Sequence, residues 1–241
     1  MYLSTGAQAK HFVTALRRKD ALLRAATVWI AAPFPLIPQF AQGKKSVIKW
    51  GAQTVSSATE GAHTGEVSAL MLKDIRASFA IVGHSERRAA GESDTQIAAA
   101  LRATVVAGLT GVLCVGETQR DQGGEHFETI VEQLTAALAS FPSQGVSKLI
   151  IAYEPVWAIG KTAADAMKPG DLQEMTIFIR KTLTALLDRE AARKIPILYG
   201  GSVEGSNARS LLEGGYISGF LVGHASADLA SFTDILAACK K

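Results

Sequence analysis

Cysteine is scarce in this sequence: two residues, Cys114 and Cys239, in a chain of 241. Two thiols so far apart build no disulfide framework, so the expectation is a pair of buried, reduced thiols. Apolar runs approaching 18 residues are absent, which removes the expectation of a membrane-spanning helix. The amino-terminal segment also lacks the apolar stretch of a signal peptide. Together these absences point to a soluble cytoplasmic protein with no membrane partner. No basic run exceeds three residues, and the formal net charge is only +3. Nucleic acid is therefore a poor candidate partner. No linker, composition break or low-complexity segment divides the chain, so residues 1–241 are expected to form a single domain.

What is present is apolar and regularly patterned. Hydrophobic residues make up 48% and charged residues 20%, enough for a sizeable core and against disorder. Seven short apolar runs stand out: "TVWIAA" (27–32), "VIKWGAQ" (47–53), "FAIVGH" (79–84), "GVLCVGE" (111–117), "LIIAYEP" (149–155), "IPILYGG" (195–201) and "GFLVGH" (219–224). They are nearly continuous rather than alternating, as expected of parallel strands covered on both faces.

Helical patterns lie between the runs. Thr5 and Gln8 have capping-box spacing ahead of the stripe Phe12, Val13 and Leu16, so a helix starts almost at the first residue. Further helices are expected over 93–109 and 171–190. The second has Asp171 as its N-cap and Leu172, Met175, Ile179, Leu183 and Leu186 on one stripe.

Most of the strand candidates end in something polar or glycine-rich: Gln53, His84, Glu117, Glu154, Gly200-Gly201 and Gly223-His224. Ligands of parallel α/β folds bind at the carboxyl ends of the strands. A doubly wound sheet would also fit the alternation, but so many polar ends favour a ring in which all converge on one mouth. The expected fold is a TIM (β/α)8 barrel of the α/β class. Seven strands are visible and the first visible element is a helix, so the first barrel strand is expected to be missing from this chain.

Four stretches carry more specific information: "GAHTGEVSALMLKD" (61–74), "IVGHSERR" (81–88), "IAYEPVWAIG" (151–160) and "LYGGSV" (198–203), supported by "CVGET" (114–118). In this order and at these separations they resemble the triosephosphate isomerase family over essentially the whole chain. The resemblance implies a cofactor-free, metal-free isomerase interconverting glyceraldehyde 3-phosphate and dihydroxyacetone phosphate.

Such chemistry needs a base to move a proton between adjacent carbons, an electrophile for the carbonyl and a grip on the phosphate. By resemblance Glu154 is the base, at the end of an apolar strand and ahead of a lid in "PVWAIG". His84 is the electrophile, expected to stay neutral because a helix N-terminus lowers an imidazole pKa. Glu86 and Glu117 resemble the family's supporting carboxylates. Gly160, Ser202, Gly223 and His224 are the expected phosphate donors, through backbone N–H groups in glycine-rich loops. Thr64 resembles the tip of a long loop, about 54–67, that in the family inserts into a partner subunit. A homodimer or other homo-oligomer is expected. His11 and His126 read as ordinary helix or loop residues.

The sequence also departs from the family. The family's first strand ends in Asn-x-Lys-Met, and Met1 stands where that methionine would be, so the strand and its lysine fall before the first residue. Lys10 is a poor substitute, being inside the first helix. Loss of one preorganised electrostatic group typically costs on the order of 10²–10³ in rate, so impaired turnover is expected, with a weak or inactive phosphate-binding barrel as the alternative. A rearranged N-terminus, a tighter seven-stranded ring, a partner chain or a longer natural protein could each fill the gap, the last being favoured. The lid lacks the family's Thr-Gly after "AIG", and His224 stands where a second glycine is usual. Histidine tolerates positive φ better than most residues.

Overall fold

The computed structural model describes residues 3–41, 47–121, 123–162 and 166–240. The expectations placed on Met1 and on part of the lid, Ala163 to Asp165, lie outside them. Each of the seven apolar runs forms a strand: β1 (Val28–Ala32), β2 (Ile48–Ala52), β3 (Phe79–Val82), β4 (Thr110–Val115), β5 (Leu149–Tyr153), β6 (Ile197–Tyr199) and β7 (Gly219–Phe220). The helices are α1 (Gly6–Arg17), α2 (Asp20–Ala25), α3 (Ile37–Phe40), α4 (Ala69–Asp74), α5 (Ser85–Ala89), α6 (Asp94–Val106), α7 (Glu125–Leu138), α8 (Pro169–Leu186), α9 (Arg189–Lys194), α10 (Gly205–Gly214) and α11 (Leu229–Ala238).

Every strand pairs in parallel with the next in the chain, giving the order β1-β2-β3-β4-β5-β6-β7. Parallel neighbours require a crossover each time, and crossovers of one hand curl the sheet round. The result is a seven-stranded curled sheet with outer helices, the architecture of a TIM barrel. Among the described residues no strand pairs β7 to β1, so the curl stays open there.

Alternate side chains build two layers. Phe79, Ile81, Val112, Cys114 and Ala152 form the inner cluster, and Ala80, Val82, Leu113, Val115, Ile151, Tyr153, Ile197 and Tyr199 belong to the outer one beneath the helices. Both faces are covered, which is why the runs carry no polar alternation. Burial weakens toward the open edges. All four residues of β3 are buried, whereas the three central residues of β1 and both residues of β7 are half-buried. Trp29, Ala31 and Leu221 pack only partly into the inner cluster, and the Lys49 ammonium sits 4.6 Å above the Trp29 ring.

The helix starts follow their caps. Thr5 accepts from Gln8 N–H at 3.2 Å while Gln8 accepts from Thr5 N–H at 3.2 Å, the reciprocal pair that α1 was expected to have. Ser93 and Gln96 repeat it at α6. Helix α8 differs from expectation. Lys168 is its N-cap and Pro169 its first residue, because proline's missing N–H and fixed φ suit a first turn, and Asp171 lies inside that turn. It ends at Leu186, half a turn before Asp188 caps α9 through Ala191 N–H at 3.0 Å.

Candidate active site

Glu154 directly follows β5 and is 3% exposed. Its N–H donates to Val115 O at 2.8 Å, which continues the β4–β5 ladder past the strand ends. Two glycines make room for it. A Cβ on Gly116 would collide with the Glu154 backbone, and one on Gly200 would lie 2.8 Å from its Cγ. The carboxylate therefore settles between the ends of β4 and β6. One oxygen, Oε2, accepts from the Ser85 N–H at 3.0 Å, and the other, Oε1, lies 3.1 Å from His84 Nε2.

His84 is the N-cap of α5, and its Nδ1 accepts from the Glu86 N–H at 3.3 Å. An accepting Nδ1 leaves the proton of the neutral ring on Nε2, the nitrogen that faces Glu154. The expectation of a lowered imidazole pKa is corrected here. Burial opposes protonation of His84, but the bond and charge of Glu154, with Glu86 adding to them, outweigh burial and raise the pKa above its ordinary value. Two effects oppose each other on one ring: the carboxylates favour the cation, while protonating Nδ1 would break the bond from Glu86 N–H. Glu86 itself is exposed, and among the described residues neither it nor Glu154 pairs with a lysine or arginine.

Glu117 was expected as a supporting carboxylate, but sequence reasoning missed its partners Tyr153 and Trp157, and it missed Arg88. Glu117 is buried, and its Oε1 accepts from Tyr153 OH at 2.9 Å and Trp157 Nε1–H at 2.7 Å. One carboxylate thus ties the residue before Glu154 to the first turn of the lid, Val156–Ala158. Burial and the neighbouring Glu117 push the Tyr153 phenol well up, so it stays a donor. Burial is also the main reason Tyr199 is pushed up to about 12. Arg88, inside "GHSERR", donates to Gly83 O at 3.0 Å, Cys114 O at 3.3 Å and Asp94 at 2.6 Å. It joins the ends of β3 and β4 to the start of α6.

Cys114 is fully buried and Cys239 half-buried, both free thiols. Burial, then Glu154, pushes the Cys114 thiol well up, which makes it an inert wall of the site. His126 lies in helix α7, as the reading of an ordinary helix or loop residue allows, but it is buried there. It is 6% exposed, with Nδ1 3.1 Å from Asp121. That carboxylate also accepts three backbone N–H groups at the start of α7.

The expected phosphate residues fall on consecutive loops. Gly160 has φ +70°. The Ser202 hydroxyl accepts from Lys161 N–H at 3.0 Å and lies 2.8 Å from the Ala158 and Lys161 carbonyls, one of which takes its proton. Its N–H donates to Ala158 O at 3.2 Å. Ser202 is therefore bound to the lid, and its N–H turns to another acceptor only when that contact opens. Gly223 follows β7, and His224 begins a 3₁₀ turn over His224–Ala227. His224 is not among the residues of positive φ, so the tolerance expected of it is not used.

Thr64 is exposed in a connection without helix or strand between β2 and α4. Ser56 N–H donates to Val67 O at 2.9 Å and closes the base of this loop. Lys10 lies within α1, as expected. Among the described residues no three His, Cys, Asp or Glu side chains group as a metal site requires, and no helix is long and apolar enough to cross a membrane.

A parallel βα-barrel sheet with a buried carboxylate meeting a histidine at its carboxyl mouth defines a class: barrels equipped for acid–base chemistry on a small molecule. Within that class the chain belongs to the triosephosphate isomerase family, whose family model matches residues 1–239. Among its relatives, the triosephosphate isomerase of Roseiflexus sp. (strain RS-1) is 41% identical over 98% of this chain and 93% of its own length. That of Protochlamydia amoebophila is 43% identical over 87% of this chain and 80% of its own. That of Carboxydothermus hydrogenoformans is 44% identical over 87% and 84%.

Proposed function

We propose that this chain is a triose-phosphate isomerase that interconverts glyceraldehyde 3-phosphate and dihydroxyacetone phosphate, as a reversible step of glycolysis and gluconeogenesis. The observation that carries the reading is the His84–Glu154 pair, 3.1 Å apart at the mouth of a barrel whose sequence matches the family. Glu154 takes a proton from the carbon beside the carbonyl and returns it to the neighbouring carbon. His84, with its proton on Nε2, donates to the oxygen on which charge develops. Substrate entering between them replaces the direct contact, so each group exchanges its partner for the triose. Gly160, Ser202, Gly223 and His224 hold the phosphate, Glu86 stands beside the electrophile, and the lid rooted at Trp157 excludes water. The reaction uses no cofactor and no metal.

The same reading makes residues 1–241 one domain of a cytoplasmic homodimer or other homo-oligomer, with the Thr64 loop reaching into the partner. A coupled assay of triose-phosphate conversion tests it. Wild type turns over and Glu154→Gln falls by at least about 10²-fold, within the range of general-base catalysis. No turnover, or equal turnover in the variant, refutes it.

A second reading, a barrel that binds phosphates with weak turnover, is favoured by one observation. Glu86 and Glu154 have no lysine or arginine partner among the described residues, although the chemistry develops negative charge between them. Tight binding of a triose phosphate with turnover at background separates the two readings.

A further inference from the structure

On the outside of the barrel, the last turns of α8 and the short α9 border a shallow, open groove of about 530 Å³. Ile177, Arg180, Lys181, Thr184 and Ala185 line it from α8, and Arg189 and Arg193 from α9. The spacings are those of single helix faces: 177, 180, 181, 184 and 185 on one stripe, 189 and 193 a turn apart. Helix α8 begins after the lid and runs back toward the start of β6. Its 18 residues span roughly 27 Å, which puts the groove near the opposite end of the strands from the mouth.

Four cations line this groove and no carboxylate does. That is more positive charge than the +3 formal excess of the whole chain. Arg180 is fixed in place: Nη1 donates to Ala192 O and Ile195 O, each at 2.6 Å, at the carboxyl end of α9. Among the described residues Lys181, Arg189 and Arg193 form no ion pair. The nearby acids are engaged elsewhere. Asp188 caps α9, and Glu190 pairs with Lys194 at 3.8 Å.

We propose that this groove is an anion site for a small oligophosphate, separate from the catalytic mouth. Guanidinium groups match phosphate oxygens in paired bonds, and a groove lined by one sign of charge concentrates its field. Converging cations within two helical turns suit a compact ligand of closely spaced charges better than an extended acidic peptide, whose successive residues advance by about 3.3 Å and alternate in direction. The phosphate chain lies across Arg180, Arg189 and Arg193, with Lys181 at its end.

Isothermal titration with inorganic tripolyphosphate, in magnesium-free buffer of low ionic strength, tests the assignment. The full chain is titrated with and without saturating dihydroxyacetone phosphate, which occupies the mouth. The expected result is saturable binding of one tripolyphosphate per chain in both arms. Affinity is expected to fall roughly tenfold or more in Arg189→Glu/Arg193→Glu, with triose-phosphate turnover and melting temperature retained. Should that double variant fail to fold, Lys181→Gln gives the same reading with a smaller loss. Four results overturn the proposal: no saturable binding, binding unaltered in the variants, binding abolished by dihydroxyacetone phosphate, or tighter binding of a hexaglutamate peptide.

Discussion

His84 Nε2 lies 3.1 Å from Glu154 Oε1 although β4 runs between their two strands in the sheet. The contact is possible because both residues stand just beyond the strand ends, where glycines at 116 and 200 leave the carboxylate room. It couples the protonation of one residue to the charge of the other, and that coupling is measurable in folding.

The His84 pKa is raised in the folded chain, by Glu154 and Glu86 against the effect of burial. A raised folded pKa stabilises below the unfolded value of about 6.5, and that stabilisation is lost as pH rises through the folded value. Urea unfolding followed from pH 6 upward is therefore expected to show a His84-linked loss of stability above about 6.5. His84→Gln removes that component, and an identical pH profile in the variant would refute the coupling.

Trp157 donates to a carboxylate that is 1% exposed and also holds Tyr153. Trp157→Phe keeps an aromatic ring and removes the donor, so it is expected to destabilise by about 1–3 kcal/mol, the range for losing a bond to a buried charged group. Thermal unfolding reads the loss. A second readout separates the lid from plain packing: KM for triose phosphate rises more than kcat falls. A variant with wild-type melting temperature and KM would contradict this role of the Trp157–Glu117 bond.

The open edges of β1 and β7 predict a gradient of protection. Each has one strand neighbour among the described residues, whereas β4 and β5 are paired on both sides. In native-state hydrogen exchange, amides of Trp29–Ala31 and of β7 are expected to exchange faster than those of Val112–Cys114 and Ile150–Ala152. Equal protection across the sheet would mean that something covers the edges.

All seven strands were legible in the sequence because burial on both faces writes a continuous apolar run, and α1 because Thr5–Gln8 is a local signal; the expected helix 93–109 covers α6 but runs past its end at Val106. The start of α8 was misplaced because Pro169 at the first helical position and Asp171 two residues later are both good start signals. Only the backbone decides between them. Its end was overrun because the break at Leu187–Asp188 has no glycine or proline to mark it.

Within the site, Glu154 and His84 stand in distinctive motifs, but the direction of the His84 pKa depends on a carboxylate two strands away. The same holds for Glu117 with Tyr153 and Trp157, for Arg88 with Cys114 O, and for His126 buried against Asp121. Each joins segments that only the fold brings together.

Under the proposed function Glu154 moves a carbon-bound proton. Dihydroxyacetone phosphate incubated with the protein in deuterated water tests it most directly, with proton NMR reading deuterium at the carbon that bears the hydroxyl. Enzyme-dependent incorporation by the wild-type chain is expected, with its loss in Glu154→Gln, whose melting temperature stays close to that of wild type. Incorporation that persists in Glu154→Gln, or none with the wild-type chain, would contradict it.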